Sequence, residues 1–210
     1  MRKELAEYRS KHHGKTRRIL HQFIDEVLYR VGCILGRIAR EGSPWWHRLA
    51  HLVAGLPSLS GSIGLRAGFY RSSMSGVDSF CATLPGLFIA YPRNVSIGER
   101  VFINRGVFIN AIAPIEIGAD VLIGPNVVIN SGNHSFQRPD VPINLQGHEA
   151  ATIRVGDDVW IGANCVLTAG IEVGHGKVIG AGSVVTRSLP PMVVAGGVPA
   201  KVIKGRDGNS

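Results

Sequence analysis

One spacing constrains the fold of this 210-residue chain more than any other feature: aliphatic residues recur six positions apart through its second half. The recurrence runs through Ile97, Ile103, Ile109, Ile117, Ile123, Ile129, Val155, Ile161, Leu167, Val173, Ile179 and Val185. Small or aliphatic side chains often follow four residues later, as at Val101, Val121 and Cys165. This period is the signature of a hexapeptide parallel β-helix, in which three sixes close one triangular coil. We therefore predict a mainly β domain of hexapeptide repeats over residues 89–204.

The short pattern I/V-x-I/V-G marks the length of one coil. It begins at Val95, Ile115, Ile153 and Ile171, so its steps are 20, 38 and 18 residues. The 38-residue step equals one coil plus a long loop, which we place at residues 135–152. An insertion can leave a solenoid at a corner without disturbing the stack, and such loops often carry function.

The segment before the repeat is predicted to be helical at first. Residues 1–60 are interpreted as a basic arm followed by amphipathic helices, residues 61–88 as an irregular lead-in, and residues 205–210 as a tail. The first helix is predicted over Ile19–Ala39 from six apolar residues at helical spacing: Leu20, Ile24, Val27, Val31, Ile34 and Ile38. Its charged residues argue against a transmembrane span. A second helix is predicted to open at Ser43-Pro44 and to end at Gly55.

The charge distribution limits the kinds of partner that we expect the chain to bind. The net charge is +8, and Met1–Arg18 holds seven Lys or Arg residues against two Glu. No nucleic-acid-binding motif accompanies this arm, so we expect no nucleic acid partner. The apolar stripe of the first helix fits packing on the protein or on a neighbouring subunit, and peripheral membrane contact stays open as the alternative. The absence of a signal-peptide pattern and three scattered cysteines, Cys33, Cys81 and Cys165, favour reduced thiols in a cytoplasmic protein.

Four stretches of the repeat region carry a family resemblance: NHSF, VGDDVWIGANCVL, VIGAGSVVTRSLPP and VVAGGVPAKVIK. From about Leu87 to Lys204 the chain resembles the left-handed β-helix (hexapeptide-repeat) acyltransferases, in the branch similar to maltose and galactoside O-acetyltransferases. The loop sequence VPINLQGHE and the helical front resemble members that acetylate polysaccharides or lipid-linked sugars. Residues 1–86 do not match the acceptor-binding segment of the small-sugar enzymes. The resemblance implies a homotrimer with an acetyl-CoA tunnel between neighbouring prisms.

The same resemblance implies that His134 is the catalytic base. Acetyl transfer to an alcohol needs a group that removes the hydroxyl proton, and imidazole suits this task because it titrates near neutrality. Asn104 matches a family asparagine that contacts the acceptor or the catalytic site, and a corner asparagine with a left-handed backbone is the alternative. Trp160 resembles the family tryptophan beside the tunnel. Glu149 is a candidate for fixing the tautomer of His134, with a solvated loop carboxylate as the alternative.

Coenzyme A needs a groove for its pantetheine arm and cations for its phosphates. The stretches WIGAN and GAGS match the family's groove lining and indicate Ala163 and Ala181. Thr186, Arg187 and Lys201 match positions that bind the nucleotide and its phosphates, as Arg and Lys side chains commonly do. Ordinary surface charges are the alternative for Arg187 and Lys201.

We therefore predict an acetyl-CoA-dependent O-acetyltransferase that acts on a sugar, a polysaccharide precursor or a related small acceptor, by direct attack and without a metal. A carbonic anhydrase-like hexapeptide metalloenzyme is one rival, and it needs three histidines with two of them five positions apart. The repeat region offers only His134, His148 and His175, which do not have that spacing. A non-catalytic hexapeptide scaffold is the second rival, but it would have no reason to keep His134 together with Arg187 and Lys201.

Overall fold

The computed structural model describes residues 15–38, 45–57, 62–77 and 82–207. Three helices come first: α1 (Lys15–Ile38), α2 (Trp45–Gly55) and α3 (Ser62–Ser73). The predicted first and second helices are confirmed over α1 and α2. Ser43-Pro44, the first 14 residues of the basic arm and Cys81 lie outside the described residues.

Three parallel sheets form the faces of a prism, which confirms the predicted β-helix. Face A contains β1 (Gly76–Val77), β4 (Val95–Ile97), β7 (Ile115–Ile117), β12 (Ile153–Val155) and β15 (Glu172–Val173). Face B contains β2 (Ala82–Thr83), β5 (Phe102–Ile103), β8 (Leu122–Ile123), β13 (Trp160–Ile161), β16 (Val178–Ile179), β18 (Val193–Gly197) and β19 (Ala200–Gly205). Face C contains β3 (Phe88–Ala90), β6 (Phe108–Asn110), β9 (Val128–Asn130), β14 (Val166–Leu167) and β17 (Val184–Val185). The chain passes from face A to face B to face C in each coil, so corners A–B, B–C and C–A recur in that order.

The register of the strands confirms the predicted coil lengths. Val95 pairs with Ile115, Ile115 pairs with Ile153, and Arg154 pairs with Glu172, which gives steps of 20, 38 and 18 residues. The long step therefore contains one ordinary coil, and its extra residues leave the prism. They form a separate antiparallel ribbon of β10 (Gly132–His134) and β11 (His148–Ala150).

The aliphatic residues of the repeat fill the inside of the prism. All twelve residues of the six-residue recurrence are at most 4% exposed. Most positions four residues later are buried as well, and they include Val101, Val121, Val159 and the thiol of Cys165. Burial of this much apolar surface is the main favourable term for folding, at about 25 cal/mol per Å².

The prism begins earlier than the sequence predicted. Strands β1 and β2 already pair with β4 and β5, so the first coil starts inside residues 61–88, which we had interpreted as irregular. That interpretation was also wrong for Ser62–Ser73, which is helix α3. The stretch is rich in Gly and Ser, which are poor helix formers, so local propensity concealed an element that packing stabilises.

Helices α2 and α3 close the N-terminal end of the prism. Trp46 of α2 stacks on Phe69 of α3 with ring centroids 5.2 Å apart, and both belong to the core that contains the first coil. The buried Tyr70 hydroxyl donates to the Leu87 carbonyl at 2.6 Å. The buried Arg66 guanidinium donates to the carbonyls of Leu56 and Thr83. These bonds fix α3 both to the end of α2 and to the first coil.

Helix α1 packs against α3 at unusually short range. A side chain at Gly32 would meet the Leu65 carbonyl oxygen at 2.2 Å. Gly36 of α1, and Gly64 and Gly68 of α3, are equally close to the opposite backbone. Small residues four apart on both helices thus allow this approach. None of the helices in the described ranges is both long enough and apolar enough to pass through a bilayer.

Candidate active site

The ribbon that leaves corner C–A starts at Ser131. The Ser131 hydroxyl is fully buried and donates to the Ala113 carbonyl at 2.9 Å, while the Ala113 N–H donates to it at 2.9 Å. The returning chain is anchored on the same residue, because the Ala151 N–H donates to the Ser131 carbonyl at 3.0 Å. One serine therefore holds both ends of the insertion to the coil below.

His134 lies at the end of strand β10, directly opposite His148 of β11. Both residues are exposed, and their ring centroids are 4.3 Å apart with the ring planes tilted by 42°. Directly opposed residues of an antiparallel pair project to the same face of the ribbon, which explains the contact. The predicted base thus stands at the root of the loop, as the sequence indicated, and it stands beside a second imidazole.

Glu149 does not meet His134 within the described hairpin. It is the next residue along β11 and opposes Asn133, so its side chain projects to the other face of the ribbon. There its carboxylate accepts a hydrogen bond from the Ser135 hydroxyl at 3.4 Å. The structure therefore favours the alternative of an exposed loop carboxylate over a group that fixes the His134 tautomer.

The remainder of the loop is organised by a single glutamine. The Gln146 amide donates to the Arg138 carbonyl at 2.8 Å and to the Val141 carbonyl at 2.7 Å, and it accepts from the Arg138 N–H at 3.0 Å. Phe136 and Leu145 are left exposed beside it. The loop therefore holds a defined shape and presents apolar surface to its surroundings.

A second set of predicted residues lies along corner B–C and face B. Asn104, Ala163 and Ala181 lie in three turns of corner B–C, and the turn that begins at Gly124 separates Asn104 from Ala163. The Asn104 amide oxygen accepts from the Arg105 N–H at 2.8 Å, which leaves its NH₂ group as the donor. Ala163 is half-buried and Ala181 is exposed, so no large side chain projects from the edge at these two positions. Such an edge lets an extended chain approach the backbone.

Trp160 lies in an apolar column on the outside of face B. It pairs with Leu122 below and Val178 above, and Leu122 pairs with Phe102. Trp160 is 54% exposed and Leu122 is 49% exposed. Outward positions on face A are polar by contrast, and they include Glu116 and Arg154, which form an ion pair. Face C also carries outward apolar side chains, of which Phe108 is 39% exposed. An exposed apolar column such as that of Trp160 and Leu122 is typical of a protein contact or a ligand groove.

The predicted phosphate-binding residues lie on different edges. Thr186 and Arg187 follow β17 at corner C–A, the corner from which the ribbon leaves in an earlier coil. Lys201 lies in β19, opposite Gly196 of β18, and this C-terminal hairpin extends face B. All three side chains are exposed.

The sheet topology therefore divides the predicted site into two sets. His134, Thr186 and Arg187 belong to corner C–A, which is the corner opposite face B of the triangular prism. Asn104, Trp160, Ala163, Ala181 and Lys201 belong to face B and corner B–C. A triangular coil keeps these edges apart, so one prism alone does not assemble both sets into one pocket.

A shallow depression of about 390 Å³ lies elsewhere, along corner A–B, with Ser96, Glu99 and Asp157 in its lining. The Asp157 carboxylate accepts from the Ala119 N–H at 2.7 Å, so it serves the stacking of coils. None of the predicted site residues lines this depression, and we do not assign it to the site.

Two residues stand out that the sequence interpretation did not select. His148 was noted only as one of three histidines, and its position opposite His134 depends on the register of the ribbon. Lys177 occupies an interior position, four residues after Val173, where other coils carry Val or Cys. Its amine donates to the Leu189 carbonyl, and burial lowers the pKa of Lys177 to about 8. The break in the six-residue pattern at this lysine was visible in the sequence.

Comparison with known proteins also indicates a fold of hexapeptide repeats. Residues 152–187 match the protein family described as hexapeptide repeat of succinyl-transferase. A maltose O-acetyltransferase from Clostridium difficile 630 is 31% identical, with a TM-score of 0.69, and the match covers 76% of this chain and 83% of that one. This chain belongs to the hexapeptide-repeat acyltransferase family.

Two further proteins are similar to this chain. A galactoside acetyltransferase solved in complex with coenzyme A is 30% identical, with a TM-score of 0.68, over 75% of this chain and 78% of that one. Galactoside O-acetyltransferase from Escherichia coli (strain K12) is 36% identical over 121 residues, which are 57% of this chain and 58% of that protein. The sequence match therefore spans less than two thirds of that relative's length.

Proposed function

We propose that the chain is an acetyl-CoA-dependent O-acetyltransferase that acts on a hydroxyl of a sugar, a polysaccharide precursor or a related small acceptor. The observation that carries the proposal is the position of His134, an exposed imidazole at the root of the ribbon that interrupts the β-helix. A relative solved with coenzyme A, matched over 75% of this chain, supports the same donor.

The chemistry assigned to His134 is direct transfer. Its imidazole takes the proton of the acceptor hydroxyl, and the acceptor oxygen forms a bond to the thioester carbonyl carbon. The tetrahedral intermediate collapses with cleavage of the carbon–sulfur bond, and His134 returns the proton to the coenzyme A sulfur. A backbone N–H near the corner stabilises the oxyanion, a kind of interaction that is worth about 10² to 10³ in kcat.

Acetyl-CoA fits the edge formed by corner B–C. Ala163 and Ala181 leave room for the pantetheine arm along the stacked turns, and Trp160 stands beside them on face B. Lys201 at the C-terminal end of face B, and Thr186 with Arg187 at corner C–A, are the groups we assign to the nucleotide and its phosphates. Their exposure suits contact with charged, solvated phosphate groups.

We assign the assembly as a homotrimer in which one subunit supplies corner C–A and its neighbour supplies face B and corner B–C. Two observations support this. The two sets of site residues lie on different edges of one prism, and face B carries the exposed column of Leu122 and Trp160. Cyclic symmetry repeats such a contact three times and closes it. His134 of one subunit then faces the edge that holds the donor.

The loop at residues 135–152 is the part that we assign to the acceptor. The Gln146 hydrogen bonds give it a fixed shape, and Phe136 and Leu145 present exposed apolar surface on the loop. Aromatic side chains pack well on the apolar faces of sugar rings, so a saccharide suits this surface. Asn104 adds an amide donor for an acceptor hydroxyl.

We place the reaction in the cytoplasm, with peripheral contact between the N-terminal region and the inner membrane. The side of α1 that faces away from α3 exposes four aliphatic residues at 38% to 62%: Val27, Val31, Ile34 and Ile38. Arg30 and Arg37 border this stripe, and seven Lys or Arg residues lie within Met1–Arg18. The excess of Lys and Arg in this part of the sequence disfavours a second copy and favours anionic head groups, so we infer that an anionic bilayer contacts the stripe.

The membrane contact is tested by sedimentation of the full chain with vesicles of phosphatidylglycerol and phosphatidylcholine, compared with phosphatidylcholine alone. Binding that requires the anionic lipid, and that Ile34→Asp abolishes, is the expected result. The matched control is Ile143→Asp, on the exposed loop, which should bind as the unaltered chain does. Unchanged binding in Ile34→Asp overturns this contact, and a change of oligomeric state in that variant assigns the stripe to a subunit interface.

The activity is tested by incubating the purified full chain with acetyl-CoA and a panel of mono-, oligo- and lipid-linked saccharides. Mass spectrometry should show the addition of one acetyl group to at least one class of acceptor, with release of free coenzyme A thiol. Failure to bind acetyl-CoA in calorimetry, together with no acetylated product, would contradict the proposed function.

A further inference from the structure

The pair formed by His134 and His148 is the densest cluster of proton-carrying side chains on the ribbon. The register of β10 and β11 places the two residues directly opposite each other, and their rings are 4.3 Å apart between centroids. At this separation the two rings are in contact, and a change of side-chain rotamer would turn a nitrogen of one ring toward the other. The contact follows from the backbone pairing and does not depend on a flexible loop tip.

A general base needs this kind of neighbour. One nitrogen of the imidazole must face the acceptor, and the other must be held so that the ring keeps one tautomer and one orientation. A carboxylate often holds the second nitrogen, but Glu149 projects to the other face of the ribbon and is bonded to Ser135. His148 is the polar side chain that the fold sets against the His134 ring.

The chemistry of the pair suits the two states that the base must pass through. A neutral His148 has both an acceptor nitrogen and an N–H donor, so it can hydrogen-bond with neutral His134 and also accept from the imidazolium. It thereby orients the ring before attack and stabilises the charge that forms when His134 takes the acceptor proton. The proton is not passed on to His148, and His134 gives it to the departing sulfur as in the direct transfer above.

We propose that His148 is a positioning residue that orients the imidazole of His134 through the cross-strand contact of the two rings. This inference rests on the proposed function, in which His134 is the base. It adds a residue that the family resemblance did not supply.

The test compares His148→Phe, His148→Gln and Glu149→Gln with the unaltered chain. His148→Phe keeps an aromatic ring but removes both nitrogens, whereas His148→Gln keeps a donor and an acceptor. We expect His148→Phe to lower kcat by about 10- to 100-fold, less than the full worth of a general base, about 10² to 10⁴. KM for acetyl-CoA should not change, and His148→Gln should recover most of the loss.

The control variant is His175→Phe, which makes the same substitution at an exposed histidine in corner A–B, far along the chain from the ribbon. It should keep the kcat of the unaltered chain. Nitrogen-15 NMR of the imidazole gives a readout that folding alone does not move, because the His134 shifts report its tautomer. We expect those shifts to change in His148→Phe and to be restored in His148→Gln.

Three results would overturn the inference: a kcat in His148→Phe equal to that of the unaltered chain, no recovery in His148→Gln, or an equal loss of kcat in Glu149→Gln. The last result would assign the orientation to the carboxylate instead. The proposed function fails separately, either when the unaltered chain neither binds acetyl-CoA nor yields an acetylated product, or when His134→Ala remains active. A folded, trimeric and inactive His134→Ala beside a fully active His148→Phe would contradict only the inference about His148.

Discussion

At the scale of single residues, the interior of the prism, within the described part of the chain, contains one cationic side chain, Lys177. Its effect on stability is testable. Lys177 stands in a column otherwise filled by small or aliphatic side chains, and its amine is bonded to the Leu189 carbonyl. Burial lowers the pKa of Lys177 to about 8, with Glu172 partly offsetting the effect. A six-residue pattern predicts which positions are interior, but it does not predict that a long amine can reach a carbonyl at the end of the stack.

This lysine predicts a pH dependence of stability. Because its pKa is lower in the folded state than in the unfolded state, the folded chain binds fewer protons between about pH 8 and pH 10.5. The free energy of unfolding should therefore rise with pH across that window, relative to Lys177→Met, by roughly 3 kcal/mol at most. Urea denaturation of both proteins at several pH values measures the difference, and a difference that stays constant from pH 7 to 10.5 would contradict the burial of a charged amine.

The candidate site likewise contains a residue that was predictable from the sequence and residues whose positions were not. His134 was predictable because its sequence context and its place in the interrupted repeat indicated one position. His148 was not, since only the pairing of β10 with β11 reveals which loop residue stands opposite His134. The face of the ribbon to which Glu149 projects was not predictable for the same reason, because a shift of one residue along a strand moves a side chain to the other face.

At the scale of elements, the helical cap is the part that the sequence predicted least well. Helix α3 has many small residues and no strong apolar period, so its sequence resembled a loop. Its stability comes from burial between α1 and the first coil, and from the polar contacts of Arg66 and Tyr70. The repeat strands were predictable because they place aliphatic residues inside at six-residue spacing, which a single sequence shows directly.

From the contacts of the helical cap we predict that Tyr70→Phe lowers the free energy of unfolding. Tyr70→Phe removes a buried 2.6 Å hydrogen bond and leaves the Leu87 carbonyl without that donor. We expect a decrease of about 1–3 kcal/mol in the free energy of unfolding. The matched control is Tyr91→Phe at an exposed tyrosine, which should change it by less than about 0.5 kcal/mol. An equal effect of the two substitutions in urea denaturation would show that the Tyr70 hydroxyl does not fix α3 to the prism.

At the scale of the whole molecule, the prism separates the two halves of the proposed site. The sequence identified the residues of both halves but not their distribution, because the corner that each residue occupies follows from the closure of the coil. His134 and Arg187 share corner C–A, whereas Ala163 and Ala181 line corner B–C. An assembly in which corner C–A of one prism meets corner B–C of its neighbour would bring the two sets of residues together.

This arrangement predicts complementation between two inactive variants. His134→Ala removes the base from corner C–A, and Ala181→Trp blocks the donor edge at corner B–C. If the site lies between subunits, unfolding and refolding an equal mixture should restore about a quarter of the activity, since that fraction of interfaces joins two intact edges in a closed ring. The comparison is with each variant refolded alone. A mixture as inactive as its components would place both sets of residues in a site within one subunit.

The central claim, that His134 is the base of an acetyl transfer from acetyl-CoA, is tested most directly by the rate of coenzyme A release in His134→Ala with the acceptor that the panel identifies. The account predicts a kcat lower by about 10² to 10⁴, while calorimetry shows unchanged binding of acetyl-CoA and the variant stays folded. A His134→Ala protein that releases coenzyme A within a few-fold of the unaltered rate would contradict the account.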